Sequence, residues 1–411
     1  MLKKRYCTMK KSNPLKILHI TTVDIGGAYK AVERLSEALN TSDKYESKIL
    51  LRNKVNESNC GEVYLDNPVK TIVSKFKNAI NLVSTHGEVT IDILGSDVSK
   101  HHMVQEADII VIHWINSFLN EKSIEKIINL GKPTYIMLHD MWHFTGGCHS
   151  DGYCGGYERG CYECPHLKKG SKAAHNNLLR KMSLYKDKDV VILSPSNYEA
   201  NAAKSSPVFE KNDIRVIGNC VNTDIFRKVD DISVSDIPGV ITDKPLVLFT
   251  AVSAGKSNAN KGFEYLMDAL GKLHEDEVHL LILGNIDDES LRGIKQTYTR
   301  LGYIIDEKML AKIYNIADVT VVPSLQESFS YSVCESLACG TPTVSFAVGG
   351  ILDQVVHKEN GYLAKYKDTD DLAKGIRYCV EHGDAMQSRC IDKAKQFSYD
   401  SIVKKWAEAG I

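Results

Sequence analysis

Two carboxylates, Glu327 and Glu335, stand eight positions apart in the run PSLQESFSYSVCESLACGTP, residues 323–342. Upstream, Lys261 lies in NKGF, His139 follows the apolar run YIML, and Cys148, Cys154, Cys161 and Cys164 crowd a glycine-rich stretch. Each type has its own chemistry. Carboxylates accept hydrogen bonds from sugar hydroxyls. An ammonium group and the free amides of a helix start hold phosphate. An imidazole donates or accepts near neutral pH, and four thiolates suit a tetrahedral zinc ion. Spacing alone leaves the two glutamates equally readable as solvated acids at a helix start, where negative charge is favoured anyway.

The elements around them decide what they can reach. Val319–Val322 is a short β-branched run that predicts a buried strand, ended by Pro323-Ser324. From Ser328 the apolar residues Phe329, Val333, Leu337 and Ala338 recur at helical spacing, Gly340 takes the position after the helix, and Thr343–Phe346 starts another strand. Glu327 therefore falls in a loop at the carboxyl end of a strand, where open parallel sheets bind ligands. The amides around Phe329–Tyr331 face a phosphate, and Glu335, two turns on, turns toward the same crevice.

Strands alternating with helices appear twice along the chain. LKILHITT (Leu15–Thr22) is followed by a tight turn at Gly26-Gly27 and a helix with Ala31, Leu35, Ala38 and Leu39 on one face. ADIIVIHWIN and PTYIMLHDMW supply two more strands, each ending in a histidine, His113 and His139. A second series begins near Val190 with DVVILSPS, DIRVIGNC, LVLFTAVS, HLLILGN, DVTVVPS and TPTVSFA. This pattern predicts an α/β protein of two doubly wound, Rossmann-like domains facing across a cleft. The expected division is residues 14–195, residues 196–395 and an amphipathic C-terminal helix over 396–411, with the crossover near Ser194–Ala203.

The stretch around Glu327 and Glu335 resembles the E-x7-E segment of retaining family-four glycosyltransferases with the GT-B fold, including Pro-Ser before it and Ala-Cys-Gly-Thr-Pro after it. A His-Trp pair such as His113-Trp114 occurs in a subgroup of these enzymes, and a capsule or exopolysaccharide type is the expected one. The resemblance implies that Glu327 touches the donor sugar, that Phe329-Ser330 and Lys261 hold the diphosphate, and that Glu335 holds the ribose. It places His139 at the donor hexose, His113, Trp114 and Asn116 near the acceptor, and the last helix back on the N-terminal domain. Gly26-Gly27 is a further candidate ligand loop. The chain departs from the family where Gly-Arg usually precedes the lysine, with Lys256 of AVSAGK as a stand-in, and at NCVN, where Cys220 and Asn222 replace Gly and Asp. Catalytic roles fall on His139, Glu327 and Lys261, with a nucleoside diphosphate-sugar as donor and no catalytic metal.

Length and composition fit this reading. The 411 residues suffice for two cores, and 43% hydrophobic and 25% charged residues are ordinary for a globular protein. A net charge of −1 gives no overall field for nucleic acid. The basic start MLKKRYCTMKK lacks the apolar run of a signal peptide. Eleven cysteines, diluted and odd in number, predict a reducing cytoplasm. For the cluster Cys148, Cys154, Cys161 and Cys164, with His149 and His166 as substitutes, structural zinc, disulfides and packing thiols all stay open. The basic amphipathic run over 69–84, with Lys70, Lys75 and Lys77, is either a solvated helix face or a peripheral contact with the inner face of a membrane. The function expected is a retaining hexosyltransferase acting on a glycan, lipid-linked or other acceptor in surface polysaccharide or glycoconjugate synthesis. A non-catalytic GT-B subunit that binds glycan or a partner transferase is the rival.

Overall fold

The computed structural model describes residues 13–56, 61–64, 89–92, 94–255 and 258–411. The basic N-terminal run, the amphipathic segment 69–84 and Lys256 lie outside the described residues.

Two parallel sheets form the molecule. The first has the order β3-β2-β1-β4-β5-β6-β7, built from β1 (Leu15–Val23), β2 (Tyr45–Asn53), β3 (Glu62–Val63), β4 (Ile109–Ile112), β5 (Thr134–Met137), β6 (Val190–Ser194) and β7 (Ile214–Val216). The second has the order β10-β9-β8-β11-β12-β13, from β8 (Leu246–Ala254), β9 (His279–Ile286), β10 (Thr297–Gly302), β11 (Val319–Val322), β12 (Thr343–Phe346) and β13 (Gly361–Ala364). The helices are α1 (Gly26–Asn40), α2 (His102–Glu106), α3 (Glu121–Ile128), α4 (Ala173–Tyr185), α5 (Asn197–Ser205), α6 (Phe263–Leu270), α7 (Glu307–Ile316), α8 (Tyr331–Ala338), α9 (Thr369–Lys395) and α10 (Tyr399–Glu408).

Period-two alternation sorts the first sheet's side chains between two cores. Leu18, Ile20, Ile110, Ile112, Ile136 and Ile192 pack on one face with Ile124 of α3 and Leu178 of α4. Ile17, Ile109, Val111, Met137 and Leu193 pack on the other with Leu35 of α1 and with Ile402 and Trp406 of α10. The last helix thus closes the N-terminal core. Both faces are covered, which is why these strands read as continuous apolar runs.

The first sheet runs past residue 195, where the expected boundary falls. Strand β7 pairs with β6 through Ile192↔Ile214 and Ser194↔Val216, and Ile217 N–H donates to Ser194 O. The first sheet therefore runs on past α5, because a short strand adds to its edge before the chain leaves. The two crossings between domains lie side by side. Val221 N–H donates to Phe397 O at 2.8 Å, and Val221 bridges Ser398. Helix α8 also starts later than the periodicity predicts, at Tyr331 rather than Ser328, so Glu327 through Ser330 form a longer loop over the cleft.

Candidate functional site

The C-terminal wall of the cleft is a set of backbones in close contact. Gly262 has φ +65°, and a Cβ there would fall 1.9 Å from the Pro323 carbonyl oxygen. This glycine lets the Lys261 turn lie directly against the end of β11. From that turn Lys261 Nζ reaches Glu327 Oε1 at 2.6 Å, and Ser324 Oγ donates to the same oxygen at 2.9 Å. On the far side Gly350 N–H donates to Glu327 O at 2.8 Å, and a Cβ on Gly349 would meet that oxygen at 2.0 Å. Glu327 is thus fixed at both its backbone and its side chain. In the sequence this support shows only as two adjacent glycines, Gly349-Gly350, shortly after a strand.

Glu335 is buried on α8. Its Oε1 accepts from Arg34 Nη2 at 2.6 Å and its Oε2 from Tyr314 OH at 2.9 Å. Arg34 belongs to α1 of the other domain, and it also reaches Glu307 Oε1 at 2.9 Å, which Lys30 Nζ meets at 3.1 Å. The guanidinium lies over the rings of Phe226 and Tyr331, at 5.1 and 4.9 Å. Burial disfavours its charge, but Glu335 and Glu307 outweigh that and hold Arg34 well above its ordinary pKa. Burial likewise pushes the Glu307 carboxyl up, and Arg34 and Lys30 more than reverse it. Glu335 keeps two lone-pair sites beyond those already used. The Ser330 amide, expected to face a phosphate, donates instead to Gln354 Oε1 at 3.1 Å, while Gln354 Nε2 returns a bond to Ser330 O at 2.8 Å. One carboxamide thus satisfies both backbone groups of Ser330. Phe329 is buried against Tyr331 and Phe397.

On the N-terminal wall, Gly26 opens α1 with φ +83° and Gly27 follows it, with no atom near where a Cβ would stand on either. His139 stands just past β5, half-buried, with its Nε2 2.8 Å from His113 Nδ1. His113 Nε2 is in turn 2.8 Å from His19 Nδ1. Burial holds the imidazolium form down throughout, to about 4 at His139 and about 3 at His19. Asp140 caps the next turn, accepting from Trp142 N–H at 2.9 Å, and binds His149 Nδ1 at 2.7 Å and Trp114 Nε1 at 3.0 Å. Trp114 is thereby tied to the His139-Asp140 segment.

The loop after Asp140 sews the walls together. Tyr153 OH donates to Leu325 O at 2.9 Å. Gln326 Nε2 donates to Asp151 Oδ1 at 3.2 Å and to Tyr198 OH at 3.3 Å, and Ser150 Oγ bonds Gln326 Oε1. Beside it Ser328 Oγ donates to the buried Glu199 at 2.8 Å. His139 and Glu327 are thus on segments held directly against each other.

The cysteine cluster sits behind this loop. Cys148, Cys154, Cys161 and Cys164 line one small pocket with Tyr157 and His166, and none of the four is in a disulfide. Among the described residues no three of their sulfurs come within 4.8 Å of one another; Glu62, His101 and His102, before β4 at the opposite strand ends, do form such a group. Burial pushes the Cys148 thiol up to about 12.

HepE of Anabaena, solved with UDP-glucose, superposes with a TM-score of 0.63 over 96% of this chain and 99% of its own at 17% identity. Sucrose-phosphate synthase from Thermosynechococcus elongatus gives 0.62 over 96% and 98% at 18% identity. The fold is GT-B. Residues 245–382, nearly all of the second sheet with its helices, match the family profile Glycosyl transferases group 1. An uncharacterized glycosyltransferase of Methanocaldococcus jannaschii is 27% identical over 371 residues, covering 80% of this chain and 90% of that one. D-inositol 3-phosphate glycosyltransferase of Xylanimonas cellulosilytica is 36% identical over 140 residues, 32% of each chain. The chain is thus similar to glycosyltransferases, through the family profile over its second sheet and the archaeal relative along most of its length. Among the described residues no helix is long and apolar enough to cross a membrane.

Proposed function

We propose that the protein is a retaining glycosyltransferase that moves a hexose or related sugar from a nucleoside diphosphate donor to a glycan, lipid-linked or other acceptor. The observation that carries this reading is the pairing of Lys261 with Glu327 at 2.6 Å on a loop held against the His139 segment. Lys261 supplies positive charge where the departing diphosphate gains negative charge, in a site fixed before the reaction. Glu327 holds the sugar rather than attacking it, and the acceptor enters from the leaving-group face. Glu335 takes the ribose hydroxyls beside Arg34, and Phe329 with Gly26-Gly27 borders the diphosphate. UDP-glucose bound to HepE makes UDP-sugars the first donors to try.

Donor hydrolysis without acceptor tests the reading. Release of free sugar from one of a panel of UDP-, GDP-, ADP- and dTDP-sugars, retained in anomeric form, is expected. Binding with no turnover of any donor would favour the non-catalytic subunit. A surface polysaccharide or glycoconjugate acceptor, and work at the inner membrane face in the cytoplasm, belong to the same proposal. A structural zinc on the four thiols that line one pocket belongs to the proposal too, and it requires their sulfurs to draw together on binding. Elemental analysis of protein purified without added metal should then find about one zinc per chain, and a stable, metal-free protein would refute the site.

A further inference from the structure

Three histidines stand in a row across adjacent strands. His19 lies on β1, His113 one residue past β4 and His139 two past β5, and these strands are neighbours in the sheet. By period-two alternation all three share the face of Ile17, Val111 and Met137, the face that α10 covers. Two imidazole–imidazole contacts of 2.8 Å join them into one chain. His19 and His113 are fully buried, and burial keeps all three rings uncharged near neutral pH.

A neutral imidazole has one N–H and one bare nitrogen. In a chain of three, fixing one ring fixes the others, so only two polarities exist. In one, each ring donates from Nδ1, His139 Nδ1–H points outward from the chain, and His19 Nε2 is the bare end. In the other, each ring donates from Nε2, His139 Nδ1 is a bare acceptor, and His19 Nε2 carries a hydrogen. The buried end decides between them. His19 Nε2 and Trp406 Nε1 are both buried with no hydrogen-bond partner, and the two rings lie with centroids 6.3 Å apart. An indole nitrogen only donates. The second polarity leaves two buried donors facing no acceptor. The first supplies a bare nitrogen on the ring beside the indole, and a small shift of α10 or one bridging water can join it to the indole N–H.

We propose that His19 and His113 are positioning residues that hold His139 in its Nδ1–H form, so that the half-exposed end of the chain presents a hydrogen-bond donor to an oxygen of the bound sugar nucleotide. The role at the substrate rests on the transferase reading above, whereas the tautomer does not. The C-terminal helix then has a second task besides packing: its indole sets the direction in which the cleft histidine donates.

The test is nitrogen-15 NMR of the histidine side chains in the full-length protein, with His139 assigned by the loss of its signals in His139→Gln. The expected spectrum shows His139, His113 and His19 each protonated at Nδ1 and bare at Nε2. Trp406→Phe keeps the ring but removes the indole donor, and His113→Gln can pair in either direction; each should turn His139 into a mixture of tautomers. If Trp406→Phe does not fold, His113→Gln carries the same readout. His139 protonated at Nε2 in the unaltered protein, or a tautomer indifferent to His113→Gln, would overturn the proposal. In turnover, His113→Gln should lower kcat about tenfold, roughly the worth of one hydrogen bond, with donor KM little changed. Equal losses in both that follow a lower melting temperature would reduce His113 to a packing residue and sink the positioning role. The expected tautomers in a protein that turns over no nucleotide sugar would instead refute the transferase reading.

Discussion

The N-terminal wall of the cleft presents a row of uncharged rings, and the C-terminal wall presents acids paired with cations. His19, His113 and His139 are kept neutral by burial and satisfy one another ring to ring. Across from them Lys261 pairs with Glu327, and Glu335 and Glu307 share Arg34. The physical reason is in the connections. The histidines sit on neighbouring strands, so the spacing of the sheet sets their distances and no charge is needed to draw them together. The acids sit on a loop and on helices rather than on paired strands, and opposite charges fix where their side chains point. A neutral donor can orient a sugar hydroxyl without competing with solvent ions, whereas fixed charge is what a diphosphate requires. On the proposed function, one wall orients the sugar and the other stabilises charge.

Arg34 is the strongest test, because it belongs to the N-terminal domain yet serves the charges of the other. Its side chain is 2% exposed and Glu335 is 10% exposed. Arg34→Met should therefore destabilise the protein by about 3–5 kcal/mol, because it strands the buried Glu335 without a cation, while Glu307 keeps Lys30. Denaturant unfolding checks this, and a loss under about 1 kcal/mol would mean that water already reaches Glu335.

Lys261→Ala should act on turnover instead. A fall in kcat of about a hundredfold to a thousandfold is expected for loss of one preorganised group at the departing charge, with little change in melting temperature. The assay is donor hydrolysis at saturating nucleotide sugar, and an unchanged kcat would remove Lys261 from the C-terminal wall's chemistry.

Glu199 sharpens the contrast at the seam between the walls. Burial pushes its carboxyl from 4.5 up to about 8 against the single hydrogen bond from Ser328. The folded state thus holds the proton more tightly than the unfolded state does. Below pH 4.5 both states are protonated and there is no penalty. As pH rises from there toward 8, stability should fall by up to about 1.4 kcal/mol per unit. Glu199→Gln should flatten that slope in unfolding curves taken across the window, and the same slope in both proteins would contradict it.

Lys30→Ala should have the smallest effect. It meets the same Glu307 as Arg34 does, but its side chain is 36% exposed, so about 0–1 kcal/mol is expected by thermal unfolding. A loss as large as that of Arg34→Met would erase the distinction between a buried and a solvated partner.

The sequence by itself determined the alternation of apolar strands and helices, the two-domain architecture and the loop that bears Glu327. Strands β11 and β12 begin and end where their β-branched runs do, because a strand buried on both faces has no choice of composition. The residues that resemble a family motif, Lys261 and Glu327, stand in contact. Strand β2 escaped because Glu46-Ser47-Lys48 makes its first half polar and leaves only a short apolar run, and β10 because it is an edge strand with an exposed face. The extension of the first sheet through β7 escaped because three residues are too few to show a period. What only the tertiary structure decided is pairing between distant segments. Arg34 reads as an ordinary helical cation until α1 is placed against α8, 301 residues away. His19, His113 and His139 form a chain only through strand order, since neither their spacing nor their flanking residues encode which strands are neighbours. Local pattern fixes which face a side chain takes, and the fold alone fixes what it meets there.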